Sequence, residues 1–213
     1  MPLRNQIELH GPGPVSMQAF REFQSWTKLV LRDAAPLLRI TRVGWDSDKS
    51  CSVVRYAGVP KGRPTEHSPE YAVLVESIAR LVSIRSRRRD HTTGDLKPIP
   101  GSWRTTLRDS FAPMYKRAGS LEISDGWFDL LLTMSDWIWS VDADHAMSFD
   151  QIKSKYGGLR GYHSTLDDAI EDIVESFEGL SEHCCETCGA PGKIRGKGWI
   201  TALCDEHASV EQE

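Results

Sequence analysis

The stretch "CETCGAPGKIRGKGWITALCDEH", residues 185–207, decides how the chain is read. Cys185 and Cys188 stand two residues apart, as do Cys204 and His207, and fifteen residues separate the pairs. Each pair has the spacing of a tight knuckle in which both side chains turn to one ion. Gly189 suits a backbone turn that excludes a Cβ, and Pro191-Gly192 extends that turn. "KIRGKGWITAL" then reads as a ribbon reversing at Gly196 and Gly198, which returns the second pair to the first. Three thiolates and one imidazole form a closed tetrahedral set with no position left for water, the pattern of structural rather than catalytic zinc. Zn2+ is therefore the expected cofactor. Buried free thiols would explain neither the two pairs nor the glycines. Cys184 in place of Cys185 would give a less favourable spacing, so Cys184 and His183 are read as bystanders. Large apolar residues are few here (Ile194, Trp199, Ile200, Leu203), so the unit depends on its ion, which contributes on the order of 10–16 kcal/mol in small zinc peptides.

Outward from the site, the other cysteines follow the same logic. Four of the five fall in the last thirty residues, beside histidines, whereas a secreted disulfide scaffold would spread them. A 213-residue chain with 39% apolar residues and seven tryptophans has enough surface to bury a real core, and its net charge of −4 gives no overall basic character. No signal-peptide core and no run of about 18 apolar residues is present, so a soluble, cytoplasmic chain with no membrane partner is expected.

Residues 1–15 read as an extended lead-in. Ser16 is a candidate cap for a helix through Met17, Phe20, Phe23, Trp26, Val30 and Leu31 that stops at Pro36. Residues 38–59 alternate around "DSDKS" and predict a β-hairpin. Ser68-Pro69-Glu70 opens a helix whose apolar face is Tyr71, Leu74, Val75, Ile78, Leu81 and Val82. Residues 16–90 thus form an αββα unit, a helix–hairpin–helix. Residues 91–181 are expected to be a mainly helical core: a short helix after Ser102 broken near Pro113, a Trp-rich helix capped by Ser124, and a last helix from Thr165 and Asp168 through Leu180. "FDQIKSKYGG", residues 149–158, is predicted as a short amphipathic helix ending at its glycine pair, and residues 158–163 as a strand. Residues 182–213 are the zinc ribbon. The fold class is α+β.

Lys153, Lys155, Tyr156, Gly157, Gly158, Leu159, Arg160 and Tyr162 precede Cys185, Cys188, Gly189, Pro191, Gly192, Trp199, Thr201, Cys204 and His207. In this arrangement the segment from about residue 120 to 208 resembles a group of uncharacterised proteins common in bacteriophages and their hosts. That group more often runs Thr-Leu-Cys where this chain has Thr201-Ala202-Leu203-Cys204. The resemblance implies a phage or prophage origin, a host bacterial cytoplasm, and a counter-defence role. The expected function is non-enzymatic, zinc-stabilised binding of a host protein or a protein–nucleic acid complex.

Two basic groups give the alternative, direct nucleic-acid binding. One is Arg85, Arg87, Arg88 and Arg89; the other is Lys153, Lys155, Arg160, Lys193, Arg195 and Lys197. Tyr156, Tyr162 and Trp199 lie among the second group, either to stack bases or to fill a core between helix and ribbon. Acidic residues crowd two helices, with Asp125, Asp129 and Asp136 on one and Asp172, Glu175 and Glu178 on the other. They read as solubilising faces or as a mimic of a phosphate backbone. No phosphate loop, dinucleotide fingerprint or nucleophile elbow occurs. Asp142, Asp144, His145 and Asp150 leave a metal-dependent nuclease as a further alternative.

Overall fold

The computed structural model describes residues 8, 9, 11, 13–196, 198 and 200–210. The predicted lead-in lies mostly outside them, as do Lys197 and Trp199. In chain order the elements are β1 (Glu8–Leu9), α1 (Gly13–Leu31), β2 (Arg39–Asp46), β3 (Cys51–Ala57), α2 (Tyr71–Arg87), α3 (Trp103–Ser110) and α4 (Ala112–Tyr115). There follow β4 (Leu121–Glu122), α5 (Phe128–Val141), β5 (Phe149–Lys155), β6 (Gly158–His163), α6 (Asp168–Ser181), β7 (Lys193–Arg195), β8 (Thr201–Leu203) and α7 (Asp205–Val210). The fold is α+β, with sheets ordered β1-β2-β3, β4-β5-β6 and β7-β8. Among the described residues no helix is long and apolar enough to cross a membrane.

Helix starts differ from the sequence expectation because serine hydroxyls are used elsewhere. α1 begins at Gly13 with Pro14 in its first turn, where a missing N–H has no partner to lose, and Ser16 is buried inside the helix. The Ser68 hydroxyl pairs with Thr65, and α2 starts three residues later with no side-chain cap. Ser124 occupies an N-terminal position by backbone, yet its hydroxyl donates to Glu186. α6 is capped by Asp167, which accepts from the N–H groups of Ala169 and Ile170, while Thr165 accepts from Asp167 itself.

The central correction concerns residues 149–158, which form a strand and a turn rather than a helix. Phe149 and Ile152 are both buried, a spacing of three that imitates a helix face. A register shift between Phe149 and Gln151, a β-bulge, puts both on the core side of a strand. The glycine pair makes a hairpin instead of a helix end. Tyr156 and Gly157 take φ of +54° and +74°, the two-residue turn whose twist matches antiparallel strands. Gly157 must be glycine for space as well, since a Cβ would lie 2.7 Å from Ile194 of β7.

The edges of this sheet are closed. On β6 the N–H of Leu159 donates to the Ser181 hydroxyl (2.7 Å) and that of Gly161 to the Glu178 carboxylate (2.7 Å), both from α6. Beside β4, Arg104 donates to the carbonyls of Leu121 and Ile123. Side chains thus occupy groups that would otherwise recruit another strand.

One hydrophobic cluster runs from Ala19 to Cys184, with Phe23, Trp26, Ile78 and Leu81 packed with Trp127, Leu130, Phe149 and Phe177. The 16–90 and 91–181 segments therefore share a core rather than separating at the Pro- and Gly-containing connector. A second, small cluster contains Cys185, Leu203 and Cys204. The segment after residue 181 is seated on the main body. The Trp26 indole donates to the His183 carbonyl and the Trp127 indole to that of Cys184, each at 2.8 Å. Gly126 N–H donates to Glu186 O at 2.9 Å.

Candidate metal centre

Cys185 and Cys188 are brought together by a turn closed by Gly189 N–H to Cys185 O (2.8 Å) and Cys185 N–H to Ala190 O (2.8 Å). Gly189 has φ of +72°, and a Cβ there would meet the carbonyl oxygen of Gly126 at 2.4 Å and the Arg85 guanidinium at 2.7 Å. Both demands select glycine. The second pair is built differently from the expected second knuckle. Cys204 follows the end of β8 and precedes α7, and His207 lies in the first turn of α7; Ala208 N–H bonds Cys204 O at 3.0 Å. Positions three apart on a helical turn face the same way. Knuckle, hairpin and helix together make the cup.

The ligand atoms of Cys185, Cys188, Cys204 and His207 all lie within 4.8 Å of one another. Cys185 Sγ is 3.7 Å from His207 Nδ1, Cys188 Sγ is 3.9 Å from Cys204 Sγ, and Cys204 Sγ is 3.1 Å from His207 Nδ1. An ion held tetrahedrally at about 2.3 Å from sulfur and about 2.0 Å from nitrogen sets ligand-to-ligand edges of roughly 3.5–3.8 Å. The four side chains thus fit a metal ion. The electrostatics agree. The Cys185 thiol is drawn down to about 4, first by the hydrogen bond from the Cys188 thiol, then by N–H groups of Cys204, Cys188 and Thr187 that outweigh burial. The Cys188 thiol is held up by donating that bond. A bound cation would take the place of the thiol protons and hold both sulfurs as thiolates.

Cys184 lies outside the tetrad. It is buried, its Sγ faces Gly189 O at 3.3 Å, and burial pushes its thiol well up. His183 is likewise outside it.

The α2 arginines are not a phosphate-binding patch. Arg85 is 1% exposed and donates to Glu22 (2.9 and 3.0 Å) and to Asp129 (3.1 Å). Arg88 grips Asp129 with two bonds of 2.8 Å, and Arg89, also buried, reaches Glu22 at 2.7 Å. Of the four, Arg87 is exposed. These charges hold α1, α2 and α5 together. The acidic helices do not present a continuous row either. Asp129 is buried, Asp125 binds Arg104, Asp172 pairs with Arg63, and Glu178 caps Gly161.

The second basic group is different. Lys153 pairs with Arg160 and Lys155 with Gly158 across the β5–β6 hairpin, so Lys153, Lys155 and Arg160 share the outer face. Tyr162, opposite Gln151, lies on that face too. Tyr156 at the tip is 73% exposed and Tyr162 is 46% exposed, so these rings do not fill a core. The Lys155 ammonium sits 5.5 Å from the Tyr156 ring centre and that of Lys153 sits 5.0 Å from Tyr162. Arg160 is tied to Glu182. Of the ribbon cations, Lys193 is exposed and Arg195 is engaged with Leu203 O and Asp205.

The acidic cluster after α5 is dispersed. Asp142 accepts from Met147 N–H (2.8 Å), Asp150 pairs with Arg117, and His145 stacks 3.5 Å from Trp139. Among the described residues the Cys/His tetrad is the one group of three or more metal-capable side chains that converges.

Glu186 was missed by sequence reasoning. It is 7% exposed, and its carboxylate accepts from Ser124, Ser154 and the Ala202 N–H. The signal available was an acidic residue inside the knuckle, next to a ligand. Comparison with family models, curated proteins and solved structures finds no match to this chain.

Proposed function

We propose that the chain is a zinc-stabilised binding protein that takes single-stranded nucleic acid on the outer face of the β5–β6 hairpin. One observation carries it: two solvent-facing tyrosines, each with a lysine ammonium over its ring, on a hairpin whose other face is locked into the core. Exposed aromatic rings stack on bases and interleaved cations meet phosphates, a combination that binds single strands with little sequence demand. Zinc is supported by the donor set, since three thiolates with one imidazole in a closed four-coordinate cup suit it. Its role is structural: it seats β7–β8 against the hairpin tip, where Gly157 and Ile194 touch. The thiolate ligands suit a reducing cytoplasm.

Elemental analysis of natively purified protein is expected to return one zinc per chain. Fluorescence anisotropy with a labelled oligothymidylate is expected to show binding that weakens as salt rises. No binding at low salt rejects the nucleic-acid reading. A second reading is a phage-type counter-defence factor acting on a host protein or protein–nucleic acid complex. It is supported by Leu166, a large apolar side chain left fully exposed three residues past β6. That reading requires a host partner whose capture is lost on Leu166→Asp.

A further inference from the structure

Beside the hairpin tip a cleft of about 920 Å³ opens between β4, the end of β5 and β8. This is within the range of about 300–1,000 Å³ typical of small-molecule sites. Its wall holds Ser124, Ser154, Glu186 and Thr201, and Lys155 and Tyr156 stand among its lining residues where the hairpin ends.

Glu186 cannot swing freely. Its N–H donates to Ala202 O (2.8 Å), its carbonyl accepts from Gly126 N–H (2.9 Å), and its carboxylate accepts from Ala202 N–H (3.1 Å). The Ser124 and Ser154 hydroxyls also donate to that carboxylate, at 3.1 and 3.5 Å. With those protons committed inward, the oxygens that remain towards the cleft offer lone pairs. The side of the wall made by Glu186, Ser124 and Ser154 is therefore a group of acceptors around a carboxylate. It repels a phosphate and favours a ligand edge made of N–H donors.

Tyr156 adds the second element. Its φ of +54° is a conformation that a residue with a Cβ adopts at a cost, and its ring is 73% exposed, so packing does not offset that cost. The hairpin turn demands a positive φ there, and a tyrosine kept in place of the asparagine or glycine that would fit it at less cost marks a functional position. There the ring can lie flat against a base, and Lys155 beside it meets the attached phosphate. Base inward and phosphate outward is the orientation the charges impose.

We infer that this cleft is a base-reading pocket for guanine within a single strand. Guanine presents two adjacent donors, N1–H and the N2 amino group, along one edge. Thymine presents one donor between two acceptors, and adenine and cytosine each set an amino group beside an acceptor. The inference rests on the reading that the hairpin face takes single strands, and gives that face a sequence preference.

The test uses the full zinc-loaded chain and fluorescence anisotropy with three oligothymidylates: unmodified, with one central guanine, and with hypoxanthine at that position. The guanine strand is expected to bind about tenfold more tightly than the unmodified one. Hypoxanthine, lacking the N2 amino group, is expected to lose most of that gain. Glu186→Gln, which replaces an acceptor with a donor, is expected to remove the difference between guanine and thymine strands. Should that variant lose its zinc, the hypoxanthine strand still decides the matter. Equal affinity for guanine and thymine strands overturns the pocket and leaves the hairpin reading intact; binding of no strand overturns both. Shifts of the Ser154 and Thr201 amide resonances with argininamide but not with the guanine strand would assign the acceptors to a protein's arginine and overturn the proposal.

Discussion

At the end of α2, Arg85 and Arg89 are buried among Trp26, Glu22 and Asp129, and their side-chain bonds to Glu22, Asp129 and Gly94 join one helix or loop to another. On the β5–β6 hairpin, Lys153 and Lys155 lean over tyrosine rings that face water. Both regions are short runs rich in positive charge. The difference is whether acids are available from elsewhere in the fold. Glu22 and Asp129 reach the α2 arginines from 63 and 44 residues away. Around the hairpin the acids Glu178 and Glu182 engage the β6 edge and Arg160, which leaves the two lysines without a carboxylate: both lie against aromatic rings, and Lys153 also donates to the neutral Gln151 amide oxygen at 2.8 Å. A run of cations is an interface only where the fold has not already neutralised it.

That contrast can be broken by measurement, beginning with the largest effect. Arg85→Ala removes the guanidinium that bridges two buried carboxylates, leaving Glu22 to Arg89 alone and Asp129 to Arg88 alone, and is expected to cost about 3–5 kcal/mol in urea denaturation. A loss under about 1 kcal/mol would place the network at the surface and erase the contrast. A pH series gives the same contrast without mutation. Burial raises the Glu22 carboxyl, but the Arg85 and then Arg89 guanidinium groups outweigh it and hold it below the usual carboxylate range. The stability it contributes is thus present above its unfolded value of about 4.3 and lost as pH falls through the lower folded value. The urea midpoint should decline on acidification below about pH 4.3, and Glu22→Gln should flatten that limb.

On the hairpin the effects should fall on binding. Tyr162→Ala is expected to weaken oligothymidylate binding by about 1–3 kcal/mol and to move the urea midpoint by no more than about 0.5 kcal/mol in stability. Replacing Lys153 and Lys155 together by alanine should lower the slope of log affinity against log salt by about 0.7 per phosphate contact removed. The smallest effect is the most pointed. Tyr156→Asn suits a positive φ better and should stabilise the fold by up to about 1 kcal/mol while weakening binding. A variant that gains neither stability nor loses affinity would remove the case for retained strain.

The metal centre was legible because its information is local. Cysteine and histidine spacing within 185–207 names all four residues of the tetrad, and the glycine after Cys188 reports the turn that joins two of them. The helix under His207 was not, because Asp205–Val210 is too short for a periodic apolar face. The β5 strand was misread because a bulge placed Phe149 and Ile152 three residues apart on one side, the spacing that defines a helix. The Arg85–Arg89 cluster was misread for another reason. Its partners are distant in sequence, and nothing within α2 announces that Glu22 of α1 and Asp129 of α5 will close on it.

The two indole N–H groups that hold the carbonyls of His183 and Cys184 have an optical consequence. They place two fully buried fluorophores directly on the strand of chain that enters the cysteine knuckle. With the proposed zinc in the tetrad, stripping it should loosen that strand and admit water to both rings, so emission should redden as the ion departs. The two indoles would then gauge metal loading in a cuvette without any label.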